Sequence, residues 1–295
     1  MTTATGTVRA TMIAPFAALL ESYSVEVTAR DVRSADRLAG RLRPGSEVFV
    51  ANIPHDALDM LVEASKRLRS VGLIPVPHIV ARNIRGPDEL NSLLERLAGE
   101  AGVDRILALG GDRDRPVGSL NAGLQLIESG SLEEHGIRHV SVACYPEGHP
   151  RIGEGALQSA LVAKLAAAAG RGFETRLVSQ FAFEPGPIVN MLRRLRDAGI
   201  RAPARVGVAG PAGRTTLIKY AIRCGVGASL RALTERKKLA SSLLGAETPD
   251  ELLAAVAQAF AADPSLGIEG VHFFTFGAPE QSIEWAQAAR AAGPN

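Results

Sequence analysis

The stretch IPVPHIVARNIRGPDELNSLLERLAGEAGVDRILALGG (74–111) contains two short strands separated by one amphipathic helix. Residues 74–82 and 105–111 are short runs rich in Val, Ile and Leu, which is typical of buried strands. Between them, residues 88–102 carry apolar side chains at three- and four-residue spacing and close on Gly102, which indicates a helix. This order predicts two parallel strands joined by a covering helix.

The same strand and helix unit recurs about eight times along the chain. The other predicted strands are residues 23–30, 47–53, 139–146, 176–183, 204–211 and 270–277. The clearest other helices are residues 56–72 and 187–199. Eight such units in about 250 residues are typical of a (β/α)8 barrel. An open dinucleotide-binding sheet is the weaker alternative, because the turn after the first strand lacks its glycine fingerprint.

The sequence therefore predicts an α/β protein with one (β/α)8, or TIM, barrel as a single domain over residues 1–295. It also predicts an N-terminal helical extension at residues 1–22, which includes the short apolar run TMIAPFAALL (11–20). That run is too short to span a bilayer, so no membrane partner is expected. A helical insertion at residues 229–266 supplies an extra helix before the last strand.

Composition narrows the class of partner. The 295 residues are 46% hydrophobic and 22% charged, with a formal net charge of +2. Because the basic residues are spread among acidic ones, no nucleic-acid surface is expected. Only two cysteines occur, Cys144 and Cys224, at a spacing that predicts neither a disulfide framework nor a metal site. A reducing cytoplasmic compartment is therefore expected.

Polar side chains stand out where the predicted strands end. In a (β/α)8 barrel the active site is built at the carboxyl ends of the strands, so polar residues there are candidates for function. They are Glu26, His78, Asp112, Tyr145, Glu147, His149 and Gln180. They come from five different predicted strands.

Glu26 alternates with Val25 and Val27, so its side chain is expected to point into the barrel. A carboxylate in that position must be protonated, paired with a cation, or used as an acid. Two interpretations remain open. Glu26 is either a catalytic acid or a structural group that bridges to Arg30 or to a layer of side chains inside the barrel.

The other candidates have equally open alternatives. His78 is a ligand contact or a core histidine that donates to a carbonyl group. Asp112 follows two glycines, so it either faces a planar ligand or forms an ordinary turn. Gln180 either binds the edge of a heterocycle or pairs with a polar group of another strand. Asn52 and His272 are weaker candidates of the same kind.

Taken in order, seven motifs of the chain resemble the methylenetetrahydrofolate reductase family, as a divergent member. They are VEVTARD (25–31), PHIVAR (77–82), LALGGDRD (107–114), VACYPEGHP (142–150), LVSQFAFEP (177–185), VGVAGPAG (206–213) and GVHFFTF (270–276). The most specific of them is VACYPEGHP. The family is itself a (β/α)8 barrel, so the resemblance implies the fold that the pattern predicts.

The resemblance also implies an activity. A member of this family is expected to bind FAD, to take hydride from NADH or NADPH, and to interconvert 5,10-methylenetetrahydrofolate and 5-methyltetrahydrofolate in methionine biosynthesis. Carried over by position, Glu26 is the general acid, Asp112 faces the folate and the flavin, and Gln180 orients the folate. The positions that resemble cofactor contacts are His78, Gly111, Tyr145, His149 and Lys164. A homo-oligomer is also implied, and no metal is.

The chain departs from the family pattern at several positions. Gly110 replaces an arginine, Ala51 replaces a threonine, and Ala278 replaces a second arginine. Smaller departures occur at residues 120–121 and 157–158. Because polar cofactor contacts are lost while Glu26 is kept, a second function stays open. It is a flavin-free, folate-dependent one-carbon or methyl-transfer enzyme of a demethylation pathway.

Overall fold

Eight parallel strands form a closed barrel in sequence order, β1 to β8, which confirms the predicted fold. The structure is a computed structural model that describes residues 14–31, 33–226 and 247–293. The strands are β1 (Ser24–Thr28), β2 (Glu47–Ala51), β3 (Ile74–Val80), β4 (Arg105–Leu109), β5 (His139–Cys144), β6 (Glu174–Ser179), β7 (Ala204–Ala209) and β8 (Ile268–Phe274).

Helices follow the strands along the chain. They are α1 (14–19), α2 (Ser34–Leu38), α3 (Leu58–Ser70), α4 (Pro87–Ala101), α5 (Gly123–Glu128), α6 (Ser131–Glu134), α7 (Glu154–Gly170), α8 (Pro185–Asp197), α9 (Arg214–Cys224), α10 (Asp250–Ala262) and α11 (Pro279–Ala292). Two single 3-10 turns, Ala81–Asn83 and Pro264–Leu266, complete the regular structure of the described residues.

The predicted strands extend past the observed ones at their carboxyl ends. The predicted strand 176–183 ends four residues beyond β6, for example. Its overrun includes Phe181, which is 1% exposed although it lies outside the strand. An apolar run therefore continues into the loop and is buried there, so hydrophobicity alone does not mark the end of the strand.

The two predicted helical additions are described only in part. Within the extension predicted at 1–22, residues 14–19 are helical and Phe16 is fully buried. Within the insertion predicted at 229–266, the described part starts at residue 247 and contains α10. The remainder of both segments lies outside the described residues. In the part of the chain that is described, no helix is long and apolar enough to cross a membrane.

The Cα positions group into two compact units, which are described separately below. The β1–β5 unit consists of Ser24–Cys144 and Gly155–Leu177. The β7–β8 unit consists of the described residues of Met1–Tyr23, Tyr145–Glu154 and Val178–Asn295.

The core of the β1–β5 unit forms because strands and helices each bury one apolar face. In β1, Val25 lies opposite Val48 of β2, and both are fully buried. Leu61 and Leu68 on α3 and Leu94 on α4 are also 0% exposed. Each fully buried side chain of this size contributes about 1.5 to 3 kcal/mol through the hydrophobic effect.

Charged side chains cluster at the amino ends of the strands in the same unit. Glu47, at the start of β2, accepts a hydrogen bond of 2.7 Å from Arg105 Nη1 and another from Arg176 Nη1. Arg105 also donates to Asp104 Oδ1 over 2.9 Å. Glu47 is 8% exposed, so the two guanidinium groups supply the compensation that a buried carboxylate needs.

This cluster predicts acid sensitivity. Burial alone would raise the pKa of Asp104, but the hydrogen bonds and charge of Arg105 outweigh burial and hold that pKa below its usual range, with His139 Nε2 3.9 Å away. A carboxyl group with a lowered folded pKa stabilises the fold above its unfolded pKa of about 3.9, and this stabilisation is lost as the pH falls through the folded value. The free energy of unfolding should therefore fall more steeply from about pH 5 to pH 3 in the wild type than in Asp104→Asn.

Urea denaturation at the two pH values measures this difference. Asp197→Asn, an exposed change at the end of α8, is the control and should keep the wild-type pH dependence. Equal pH dependence in Asp104→Asn and wild type would contradict the assignment.

Candidate active site

Glu26 and His78 form a close pair in the β1–β5 unit. In the parallel ladder Glu26 lies opposite Phe49, Phe49 lies opposite Val76, and His78 is two residues further along β3. Side chains alternate along a strand, so this register brings both polar groups to one face. His78 Nε2 is 3.6 Å from Glu26 Oε2, and the side chains are 9% and 21% exposed.

The surroundings of the pair are apolar on one side. The Phe49 ring is fully buried and meets the His78 ring edge to face, with centroids 6.1 Å apart. Arg30, the alternative partner of Glu26, instead donates to Asp56. A carboxyl group next to an imidazole can exchange one proton with it, so the pair can hold a proton and deliver it to a ligand.

Two glycines, Gly110 and Gly111, follow β4, so this strand end carries backbone without side chains. Gly111 has φ +103°, and a Cβ added there would overlap Val80 Cγ1, so this position requires glycine. Asp112 follows and is exposed at the start of the loop between β4 and α5. The space beside Gly111 is thus filled by Val80, whereas a Cβ at Gly110 would meet only contacts of 3.8 to 3.9 Å.

Arg82 fastens the β4–α5 loop to the end of β3. Its backbone N–H donates to the Gly110 carbonyl over 3.0 Å. Its side chain donates to the carbonyl groups of Asn121, over 3.0 Å, and Arg113, over 2.7 Å. The Arg82 carbonyl also accepts from the Val117 N–H over 3.1 Å, so Arg82 holds the loop that carries Asp112 at four points. The sequence reasoning did not single out this role.

A second polar chain crosses the ends of β2, β3 and β4. Asn83 Nδ2 donates to Asn52 Oδ1, and Arg113 Nε donates to Asn83 Oδ1 over 2.7 Å. Asn52 is 7% exposed, and its Nδ2 has no hydrogen-bond partner in the described part of the chain. Asn83 and Arg113 were missed by the sequence reasoning, although both follow predicted strand ends, and that position was the available signal.

Lys164 lies on α7 and is half-buried. Burial lowers its pKa because the ammonium group is desolvated, and the electrostatic interaction with the nearby Cys144 side chain opposes this shift. Among the described residues no carboxylate pairs with it. An anionic ligand would supply the charge that the site lacks.

In the β7–β8 unit, Tyr145 and His149 lie in one short loop. Their rings meet edge to face with centroids 5.4 Å apart. The backbone N–H of Arg151 donates to His149 Nδ1 over 3.2 Å. Nδ1 is therefore the unprotonated nitrogen of the neutral ring, which carries its hydrogen on Nε2. The loop thus presents a donor at Nε2.

Gln180 follows β6 directly and has a fixed amide orientation. Its Oε1 accepts from the backbone N–H of Phe181 over 3.0 Å, which leaves the Nε2 hydrogens for other partners. Ser179, its neighbour, accepts from the Gly207 N–H over 2.8 Å. His272, by contrast, is 1% exposed and packs edge to face on Phe274.

An aromatic cluster occupies the ends of β6 and β8 in the same unit. Its rings are Phe181, Phe183, Tyr220, Phe274 and Phe276, packed against Ala209, Ala212 and Leu217. The Tyr220 and Phe276 rings lie 4.5 Å apart at 31°. Phe276 has φ +50°, an uncommon conformation for a bulky residue that needs support from its surroundings. The partly buried rings provide an apolar surface at these strand ends.

The described residues contain no group of three or more His, Cys, Asp or Glu side chains that could hold a metal ion. They do fit a dinucleotide cofactor in one respect. Lys164 offers a desolvated cation without a carboxylate partner, which suits a phosphate. This feature suits FAD and NAD(P)H equally.

The closed barrel of eight parallel strands places the protein in the (β/α)8 fold class, whose enzymes have their active sites at the carboxyl ends of the strands. A sequence model of the family described as methylenetetrahydrofolate reductase matches residues 56–283, well over half of the chain. The chain belongs to the methylenetetrahydrofolate reductase family. The match starts at residue 56, so Glu26 lies outside it.

Several solved structures align with the chain. An uncharacterized protein from Clostridium thermocellum that binds two copies of 5-methyl-5,6,7,8-tetrahydrofolic acid aligns with a TM-score of 0.61 and 11% identity, covering 91% of this chain and 95% of that one. A sialic acid aldolase from Ruminococcus gnavus aligns at TM-score 0.49 and 14% identity, over 92% and 74% of the two chains. Dihydropteroate synthase from Thermus thermophilus aligns at 0.46 and 15%, over 91% and 95%. At 11% identity the likeness to the C. thermocellum protein concerns the fold alone.

Proposed function

We propose that this protein is an oxidoreductase that interconverts 5,10-methylenetetrahydrofolate and 5-methyltetrahydrofolate with NAD(P)H. The observation that carries the proposal is the pair of Glu26 and His78, 3.6 Å apart at the inner face of β1 and β3. Membership of the family supports a folate substrate. The C. thermocellum protein of the same fold binds the product that the proposed reaction forms.

The reaction needs an acid first. Glu26 gives its proton to N10 of 5,10-methylenetetrahydrofolate, which breaks the bond between N10 and the bridging carbon and leaves an iminium at N5. Hydride then adds to that carbon and forms the N5-methyl group. In total, NAD(P)H and one proton are consumed and NAD(P)⁺ is released. His78 holds the proton within reach of Glu26 and passes it on after each turnover.

In this proposal the other candidate residues bind the folate and the cofactor and orient them. Asp112 and Gln180 bind the folate, with Gln180 donating from Nε2. Lys164 would hold a cofactor phosphate, and Gly111, by its position in the family motif, would lie against the cofactor. His78, Tyr145 and His149 complete the proposed cofactor contacts. FAD, when bound, supplies the two-electron carrier between the nicotinamide and the folate.

Purified protein tests the proposal directly. NAD(P)H oxidation, followed by absorbance, should depend on added 5,10-methylenetetrahydrofolate, and 5-methyltetrahydrofolate should accumulate in equal amount. The absorbance spectrum of the same preparation reports whether flavin is bound. No folate-dependent oxidation with either nicotinamide, with and without added FAD, would contradict the proposed reaction.

A second candidate function is folate-dependent one-carbon or methyl transfer without a flavin. The specific observation in its favour is Gly110, which has no side chain where the family resemblance expects a cation. Ala51 likewise has no hydroxyl at the end of β2. This function predicts folate binding with no NAD(P)H oxidation. Robust oxidation would exclude it.

Gln180→Glu tests the orientation of the amide. The carboxylate keeps an oxygen for the Phe181 N–H but loses both Nε2 hydrogens. Folate binding should therefore weaken about 10- to 100-fold, while thermal stability stays near that of wild type. Titration calorimetry measures the binding. Gln281→Glu, an exposed change on α11, controls for the added charge and should bind normally. Wild-type affinity in Gln180→Glu would contradict the donor role.

A further inference from the structure

Arg113 carries a charge that the described protein does not neutralise. It is half-buried in the β4–α5 loop, next to Asp112, and its Nε is bound to Asn83 Oδ1 over 2.7 Å. Within residues 14–31, 33–226 and 247–293, no carboxylate pairs with it. A guanidinium fixed through Nε keeps its two terminal NH₂ groups available as a fork, which matches the two oxygens of a carboxylate or phosphate.

Two asparagine side chains, those of Asn83 and Asn52, support Arg113 through a chain of hydrogen bonds. Asn83 uses both ends of its side chain, because Oδ1 accepts from Arg113 and Nδ2 donates to Asn52. This fixes the orientation of the Asn83 amide. It also occupies Asn52 Oδ1 and leaves Asn52 Nδ2 buried without a hydrogen bond in the described chain. Buried polar groups are rarely left unsatisfied, so this unmade bond points to a missing ligand atom or water.

The side chain of Arg82 holds the backbone of Arg113 in place. Arg82 Nη1 donates to the Arg113 carbonyl over 2.7 Å, and Arg82 Nε holds Asn121 at the far end of the loop. Asn52 directly follows β2, Asn83 closes the 3-10 turn after β3, and Arg113 lies four residues beyond the end of β4. In a (β/α)8 barrel these ends face the active-site mouth. A long flexible side chain is thus held in one place there.

We infer that Arg113 binds an oxyanion of the ligand, with Asn83 and Asn52 as its positioning residues. The inference rests on the proposed function, which supplies two sources of such a group. The folate carries the carboxylates of its glutamate, and the nicotinamide dinucleotide carries phosphates.

Binding measurements with purified full-length protein test the inference. The probes are 5-methyltetrahydrofolate, 6-methyltetrahydropterin without the p-aminobenzoylglutamate, NADH, and dihydronicotinamide riboside without phosphates. Arg113→Met should raise the Kd of the ligand with the oxyanion about 10- to 100-fold and leave its truncated analogue unchanged. If Arg113 binds a folate carboxylate, the Kd of 5-methyltetrahydrofolate rises. If it binds a cofactor phosphate, the Kd of NADH rises instead.

Further variants separate binding from folding. Arg113→Lys keeps the charge without the fork, so its Kd should be intermediate. Asn83→Leu should raise the same Kd without moving the other probes, because the guanidinium loses its fixed orientation. The Kd should also depend less on salt in Arg113→Met than in wild type. Arg115→Met, exposed in the same loop, is the matched control and should bind all probes normally.

The inference is overturned if Arg113→Met and Arg113→Lys bind all four probes within twofold of wild type. This failure is distinct from failure of the proposed reaction. An enzyme that turns over normally with unchanged binding in both variants would remove the oxyanion role alone. A protein without reductase turnover that still shows the Arg113-dependent Kd would remove the reaction alone.

Discussion

Glu26→Gln should reduce folate-dependent NAD(P)H oxidation by about 10²- to 10⁴-fold, the usual contribution of a positioned general acid. Glutamine has the shape of the protonated carboxyl group but cannot give up a proton to N10. The rest of the pair is preserved, since the amide can still meet His78, whose Nε2 lies 3.6 Å from Glu26 Oε2. Folate affinity should therefore change by no more than a few-fold.

Steady-state kinetics together with folate titration measures these two effects separately. Glu95→Gln, an exposed change on α4, is the matched control and should keep wild-type kinetics. Retention of full activity in Glu26→Gln would remove the acid role of this residue. An equal loss of binding and turnover would instead assign Glu26 to substrate affinity.

Arg196→Met should lower the free energy of unfolding by about 3 to 5 kcal/mol. Arg196, on α8, is 6% exposed and donates to the carbonyl oxygens of Ile200, Ala202 and Leu266 over 2.7 to 3.1 Å. Each buried carbonyl left without a donor costs about 1 to 3 kcal/mol, and methionine fills much of the volume without replacing any bond.

Urea denaturation of the variant and wild type gives this difference. Arg196→Lys retains one donor group and should fall between them. Arg193→Met lies on the exposed side of the same helix and should change stability by less than about 0.5 kcal/mol. A loss below about 1 kcal/mol in Arg196→Met would show that water replaces the guanidinium at these carbonyl groups.

The fold was predictable because its signal is repeated. Strand and helix periods alternate eight times, and each repeat independently indicates a parallel strand with a covering helix. The strand ends were placed less accurately. Phe181 is buried although it lies outside β6, and hydrophobicity does not distinguish a buried strand from a buried loop.

The candidate site was predictable residue by residue but not as a set of contacts. Alternation with valines marked Glu26 as inward-facing, yet its approach to His78 depends on the register of three strands. No local pattern encodes that register across 52 residues. The chain of Asn52, Asn83 and Arg113 was missed for the same reason. Each residue is an ordinary loop residue until the fold brings the three together.

The two adjacent glycines that follow β4, Gly110 and Gly111, differ in whether another residue can replace them. A side chain at Gly111 would collide with Val80, so no other residue fits at this position. A Cβ at Gly110 would meet only ordinary contacts of 3.8 to 3.9 Å with residues 121–123. A Cβ therefore fits at residue 110 and not at residue 111, so of the two glycines only Gly111 is required by the backbone conformation and its packing.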